Sequence, residues 1–438
     1  MTDLSSRLAA LTPEQRERLR RLAGAARDAA PVTDAPLTPG QRRLWDTQLA
    51  YPGLPVDVVC QAVRLDGPVD LDRLAAGLAA FTARHPVLRT TFAVVDGEPR
   101  QTVHTGLTAD IRRASCPGGD EQAYAMAREL AREPFDLARG PLLRAVLAEA
   151  GPDRSWLLLA VHNLVFDAWS FELLLDQLAE PPTGDPPPGF VTVARRRDAW
   201  VAGPAGREAA AHWAAVAADP PPPVFPVGPE RTGIGRRREF TLPADVGTAL
   251  TAVARAEGCT PFAAWCAVLW SLLSEWSGNP DVLFGTFTAN RGEAGTDEVA
   301  GYLLNVVPVR LRDPGSGSFR DRVRGAAGPV RDVQRHGAYP AELIGLPPFE
   351  VAFVFENLGD AGRTIQGARV TTADVDKGTA RYDVTVSVFA SAQEGRLHGW
   401  IEYDTGRLDD ATADRLATRF AELAVAAAVD ADPGGVPA

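Results

Sequence analysis

Two lobes of mixed α/β structure are predicted from the sequence, and three observations predict them. Helix-period and strand-period segments recur in the order strand–helix–strand in both halves, without obvious internal repetition. Two proline-rich stretches, 181–189 (PPTGDPPPG) and 220–226 (PPPPVFP), interrupt the middle, where the missing N–H donors suit neither a sheet nor a helix. The chain of 438 residues, 45% hydrophobic and 23% charged, is long enough to bury two sizeable cores.

The first element expected is a helix over 13–23. Thr12 is its candidate N-cap, Pro13 takes the first helical position, Gln15 completes a capping box and Gly24 ends it. Its charged surface and thin Leu19/Leu22 stripe suit a peripheral packing helix or a docking helix, tethered by the Ala/Pro-rich segment 25–36. In the first lobe, 71–85 is an amphipathic helix and 88–95 a β-rich run closed by a turn at Asp96-Gly97. Residues 156–161 are continuously apolar, as a buried strand is. Between the proline stretches, 190–217 carries helical spacing and reads as one helix bridging the halves. In the second lobe, Thr260-Pro261 opens a helix to about Trp276, Gly278-Asn279 turns, and 282–288, 350–355 and 382–389 are strands. The resulting division is 1–35 (helix and linker), 36–182 (first lobe) and 183–438 (bridging helix and second lobe).

Composition narrows the function. With 45 basic and 56 acidic residues the net charge is −11, which argues against a general nucleic-acid binder. Cys60, Cys116, Cys259 and Cys266 form no C-x-x-C pair, so neither a disulfide scaffold nor a metal site is expected, and a reducing cytoplasm fits. Lys377 is the only lysine, and the Arg, Ala, Pro and Gly bias reflects a high-GC genome rather than function. Residues 1–11 lack the apolar core of a secretory signal, and the longest apolar segment, 262–273, falls short of the ~20 residues that span a bilayer. A soluble, cytoplasmic protein without membrane contact is the expectation.

Chemistry is expected where the buried strand ends in His162-Asn163-Leu164-Val165-Phe166-Asp167-Ala168-Trp169-Ser170 before an amphipathic helix to about Leu178. Asp167 suits a helix N-cap and His162 a hydrogen-bonded core position, so the segment alone also reads as structural.

This segment resembles the His-His-x-x-x-Asp-Gly signature of nonribosomal peptide synthetase condensation domains. Leu37-Thr38-Pro39-Gly40-Gln41-Arg42-Arg43-Leu44-Trp45 is similar to the family's opening motif, and Arg84-His85-Pro86-Val87-Leu88-Arg89-Thr90-Thr91-Phe92 to its second. Pro134-Phe135-Asp136-Leu137 and Gly140-Pro141-Leu142-Leu143-Arg144 are typical of it. Gly301-Tyr302-Leu303-Leu304-Asn305-Val306-Val307-Pro308-Val309-Arg310, Phe353-Val354-Phe355-Glu356-Asn357 and Tyr382-Asp383-Val384 resemble later blocks, so the likeness runs in order from about 37 to about 420.

The resemblance implies two chloramphenicol-acetyltransferase-like lobes in a V-shaped pseudo-dimer, with a central tunnel that carrier-protein phosphopantetheine arms enter from opposite faces. It implies a base or positioning role for the second histidine of the signature, and a structural aspartate, Asp167, paired with Arg89 from the second motif. The second histidine is replaced by Asn163 and the glycine by Ala168; His162, Trp169 and Ser170 are kept. Asparagine does not titrate, so Asn163 cannot act as a general base, although it can hydrogen-bond a nucleophile or an oxyanion. An α-amine is partly neutral at pH 7 and attacks once positioned, so an amine acceptor is favoured over an alcohol.

The catalytic candidates are therefore Asn163 and His162, with Asp167, Arg89, Ala168 and Trp169 structural at the site. Ser170, Asn305, Ser387 and Asn357 are the tunnel candidates, and no metal or bound cofactor is expected. His336, in a His336-Gly337-Ala338-Tyr339-Pro340 segment similar to another family motif, reads as surface or structural, and Arg195-Arg196-Arg197 as a solvated face or a contact for an acidic carrier. The expected activity is amide formation between carrier-bound acyl and amine partners by a monomer. The alternatives are an impaired domain that recruits carrier proteins or tailoring enzymes, and cyclisation or other chemistry on a carrier-bound intermediate.

Overall fold

The computed structural model describes residues 34–431 apart from 227, 313–316, 347, 357–361 and 394–395. The helix expected over 13–23 and the candidate Asn357 lie outside the described residues. The first half runs β1 (Asp34–Pro36), α1 (Pro39–Ala50), β2 (Val58–Asp66), α2 (Leu71–Arg84), β3 (Thr90–Val95), β4 (Glu98–Val103), β5 (Asp110–Ser115), α3 (Gly119–Arg132), β6 (Leu143–Gly151), β7 (Arg154–His162) and α4 (Ala168–Ala179). The second runs α5 (Phe190–Ala202), α6 (Pro204–Ala217), β8 (Gly235–Pro243), α7 (Ala244–Ala256), α8 (Pro261–Ser277), β9 (Asp281–Thr288), β10 (Asn305–Arg312), α9 (Phe319–His336), β11 (Val351–Glu356), β12 (Thr364–Ile365), β13 (Ala368–Asp374), β14 (Val384–Gln393), β15 (Arg396–Asp404) and α10 (Asp410–Ala431).

Each half is built on a six-stranded sheet, ordered β12-β13-β2-β7-β6-β5 and β10-β9-β11-β14-β15-β8, and β1-β4-β3 form a small third sheet. Strand β7 explains its own apolar run. Trp156, Leu158 and Ala160 enter one core with α3, while Leu157, Leu159 and Val161 enter another with α2 and α4, so both faces are covered. The second sheet packs Val384, Val386 and Val388 against α8, whose Trp265, Leu269 and Trp270 are fully enclosed. Helix α8 starts at Thr260-Pro261 and stops at Gly278, where φ is +68°, a left-handed conformation glycine adopts without a Cβ clash.

The structure departs from the sequence reading in several elements. The helix read over 190–217 is two, broken at Gly203-Pro204, because Pro204 has no N–H to continue the ladder and instead opens α6. Leu88 and Arg89 sit in a 3₁₀ turn (Pro86–Arg89) before β3. Strand β14 starts at Val384, because Asp383 is turned into ion pairs with Arg231 and Arg407. Strand β13, which the division at residue 183 assigns to the second lobe, adds to the first sheet, with Arg369 opposite Asp66 and Asp374 opposite Gln61. Among the described residues no single helix is long and apolar enough to cross a membrane. The four cysteines are unpaired, and three of them are buried.

Candidate active site

Strand β7 delivers His162 to the end of the first sheet, opposite Val58. The His162 imidazole is 1% exposed, accepts from Leu164 N–H through Nδ1 (3.1 Å) and lies 3.3 Å from Gln48 Oε1 through Nε2. Nδ1 therefore carries the lone pair and Nε2 the proton. Burial pushes its pKa down to about 3, so the ring is neutral and both nitrogens are engaged inside the protein. That is a positioning role for the loop, with no lone pair left for a substrate.

Asn163 differs. Its backbone N–H donates to Asp57 O at 2.8 Å, which fixes the main chain, while its side-chain Oδ1 is buried without a hydrogen-bond partner. An acceptor oxygen left unsatisfied in this way carries a desolvation penalty of about 1–3 kcal/mol, which an incoming N–H would relieve. Next to it, buried Asp57 forms an ion pair with Arg381, whose pKa burial pushes down to about 10 with help from the charge of Arg43.

Asp167 caps α4. Its Oδ1 accepts from Ser170 N–H (2.8 Å), Ser170 Oγ–H (2.7 Å) and Arg291 Nη2 (3.1 Å), and its Oδ2 from the N–H groups of Leu303 (3.1 Å) and Leu304 (3.3 Å). The partner is thus Arg291, from the loop after β9, and not Arg89. Arg89 spends its guanidinium on the carbonyls of His104 and Ala83. Its 3₁₀ turn points it there, whereas the turn around Asn290 (φ +55°) carries Arg291 back to the first lobe.

Arg291 also donates to the carbonyls of Ala289, Val299 and Gly301 and lies 5.6 Å from the Trp169 ring centroid. Trp169 Nε1 donates to Asp297 O (2.8 Å), and Ser170 Oγ exchanges hydrogen bonds with the main chain of Gly301. Ser170 is therefore a clamp between the halves rather than a tunnel residue, because it is fully buried and its hydroxyl is already occupied.

Asn305 is likewise spent on structure. Its amide donates to Gly337 O (2.8 Å) and Tyr339 O (2.6 Å), and its Oδ1 accepts from Ala341 N–H (3.2 Å). Ser387 is 4% exposed, on the sheet face opposite the Val386 and Val388 core, and pairs with Val354 on β11. It does not line the cavity that Val354 lines.

That cavity, about 690 Å³, lies between the end of α4 and the second sheet; Ala168, Arg291, Phe287, Val354, Ala338 and Glu356 are among its walls. Ala168 is the first residue of α4 and its φ is not positive, so the backbone here does not require glycine. Its methyl group stands exposed at the cavity wall. A cleft of about 730 Å³ between α8, α9 and α10 shares no residue with this site.

Two features escaped the sequence. Glu356, read only as part of a motif, is a cavity carboxyl that burial pushes up to about 7, with Asp374 and Glu172 raising it and Arg237 opposing them. Arg43 of α1 reaches across to Glu342 (2.8 Å), Tyr302 Oη (2.7 Å) and Tyr382 Oη (3.4 Å), fastening the halves beside the site. All four lie in or beside the motif segments, but spacing alone shows no reason for them to meet.

Two sheet-and-helix halves are clamped together around a signature loop at the end of β7. The family model described as Condensation domain matches residues 32–432, and the chain belongs to the condensation-domain family. It is 34% identical to phosphinothricin tripeptide synthetase PhsC of Streptomyces viridochromogenes, over 99% of this chain and 44% of that protein. It is 28% identical to a linear gramicidin synthase of Brevibacillus parabrevis, over 90% of this chain and 6% of that protein. The chain thus spans less than half of these relatives. In fold it is similar to the condensation domain of the monacolin K polyketide synthase MokA, with a TM-score of 0.79 and 20% identity over 92% of this chain and 98% of that one. The X-domain from teicoplanin biosynthesis gives a TM-score of 0.78 at 21% identity, over 93% and 97%.

Proposed function

We propose that the chain joins an acyl or peptidyl group, held as a thioester on one carrier protein, to the amine of a second carrier-bound substrate. The observation that carries this reading is the buried, unpartnered Oδ1 of Asn163 in a loop where the side chains of His162, Asp167 and Ser170 are hydrogen-bonded. Asn163 Oδ1 accepts a hydrogen bond from the attacking amine and aims its lone pair at the thioester carbonyl. The C–N bond forms, the C–S bond breaks, and the departing pantetheine sulfur takes up the proton that the amine gives up. Positioning supplies the acceleration, so a titrating side chain at position 163 is not required.

The partners are carrier proteins bearing phosphopantetheine arms, with other synthetase modules alongside. The domain acts as a cytoplasmic monomer, and the arms belong to the substrates rather than to a resident cofactor. Membership of the family and the similarity to peptide synthetases support this reading.

The test is a reconstituted reaction with acyl- and aminoacyl-loaded carrier proteins, read by intact-protein mass spectrometry. Transfer of the acyl mass onto the amine carrier is expected. Carrier binding without transfer would replace this reading by the recruiting one.

A further inference from the structure

We propose that His212, Asp332 and His336 form a Zn²⁺ site that pins α6 to the C-terminal end of α9. Asp332 and His336 are one turn apart on α9 and so share a face, and His212 meets them from α6. One ligating atom from each lies within 4.8 Å of the other two.

The details favour a shared ion over a hydrogen-bonded cluster. The two imidazoles are stacked, with centroids 4.5 Å apart and planes 21° apart, so one ring turns about its χ2 to bring an ion into the plane of both. His212 Nε2 is buried without a hydrogen-bond partner and stands 3.8 Å from Asp332 Oδ2, too far for a hydrogen bond. Ligand atoms on a tetrahedral zinc are about 3.4 Å apart, so an ion closes that gap with a small shift.

The surroundings suit a cation. Arg335, the adjacent cation, is directed to Glu208 at 2.9 Å. Trp213 Nε1 donates to His336 O (3.0 Å) and fixes the end of the helix. Two imidazoles and one carboxylate are a hard-to-borderline N₂O set that Zn²⁺ takes with a water as fourth ligand. The site borders function as well, because Gly337 and Ala338, which follow His336 directly, line the cavity beside Ala168.

The experiment uses the full chain, stripped with a chelator and then titrated with ZnCl₂ by calorimetry, with Co²⁺ as a spectroscopic probe. One Zn²⁺ per chain is expected, with a rise in Tm of about 2–5 °C at saturation. His212→Gln and Asp332→Asn, both at partly exposed positions, are each expected to weaken binding about tenfold or more while circular dichroism is unchanged. No saturable Zn²⁺ binding, or stoichiometric binding that survives in both variants, overturns the proposal.

Discussion

Asp167 and Arg291 form an ion pair at 3.1 Å between positions 124 residues apart in the chain, and each side chain is no more than 3% exposed. A buried pair of this kind adds little net stability over an apolar pair, but losing one partner strands the other. Its role is therefore geometric: it fixes the signature loop of the first lobe against the loop 299–304 of the second.

Arg291→Ala is expected to destabilise the fold by about 3–5 kcal/mol, because it leaves Asp167 charged and buried. Arg89→Ala loses only hydrogen bonds to carbonyls, about 1 kcal/mol. Urea denaturation of the two variants measures the difference, and equal losses would contradict the pairing.

Asn163→Ala removes the acceptor proposed to bind the amine and is expected to lower the condensation rate about tenfold, with Tm little changed. Asn163→His is expected to raise the rate, by at most ~10² if the imidazole serves as base, and to give it a new dependence on a pKa near neutrality. Single-turnover transfer between loaded carriers, followed against pH, reads both effects. A rate unchanged in both variants would remove Asn163 from the reaction.

Ala168→Trp places a large ring at the wall of the 690 Å³ cavity from an exposed helix start. Transfer is expected to fall at least about tenfold while folding is preserved, since surface substitutions usually shift stability by about 0.5 kcal/mol or less. Transfer kinetics and a melting curve on the same sample check it.

Glu356 gives the fold a pH dependence. Its carboxyl holds a proton up to about 7 in the folded chain, against an ordinary value of 4.5. The folded state therefore binds the extra proton between those values, and this contribution to stability is lost as pH rises through that window. Glu356→Gln removes the loss, so its stability relative to wild type should grow between pH 5 and pH 8 by on the order of 2 kcal/mol. Urea midpoints at the two pH values give the comparison, and parallel profiles would count against a buried Glu356.

Much of the architecture was legible because it is local. The run 156–161 is apolar at every position since β7 is covered on both faces, and Gly278 marks the end of α8 since that turn is left-handed. The signature segment was legible too, including the departures at Asn163 and Ala168. The bridging helix was misread because apolar spacing continues through Gly203-Pro204 although the backbone ladder does not. The partner of Asp167 was misplaced because Arg291 stands in a loop with no periodicity or motif to mark it.

By itself the sequence determined the two-lobed class, the position of the signature loop and the absence of a titrating side chain at Asn163. These depend on residue identity and on neighbours a few positions away. Tertiary structure decided which polar groups are already spent, as in His162, Ser170 and Asn305, and which face a cavity, as Ala168 and Glu356 do. It also decided that β13 crosses into the first sheet and that Arg291 and Arg43 clamp the halves. Those outcomes follow from burial and from contacts between distant segments, where one buried charge takes whichever partner the fold brings within about 3 Å.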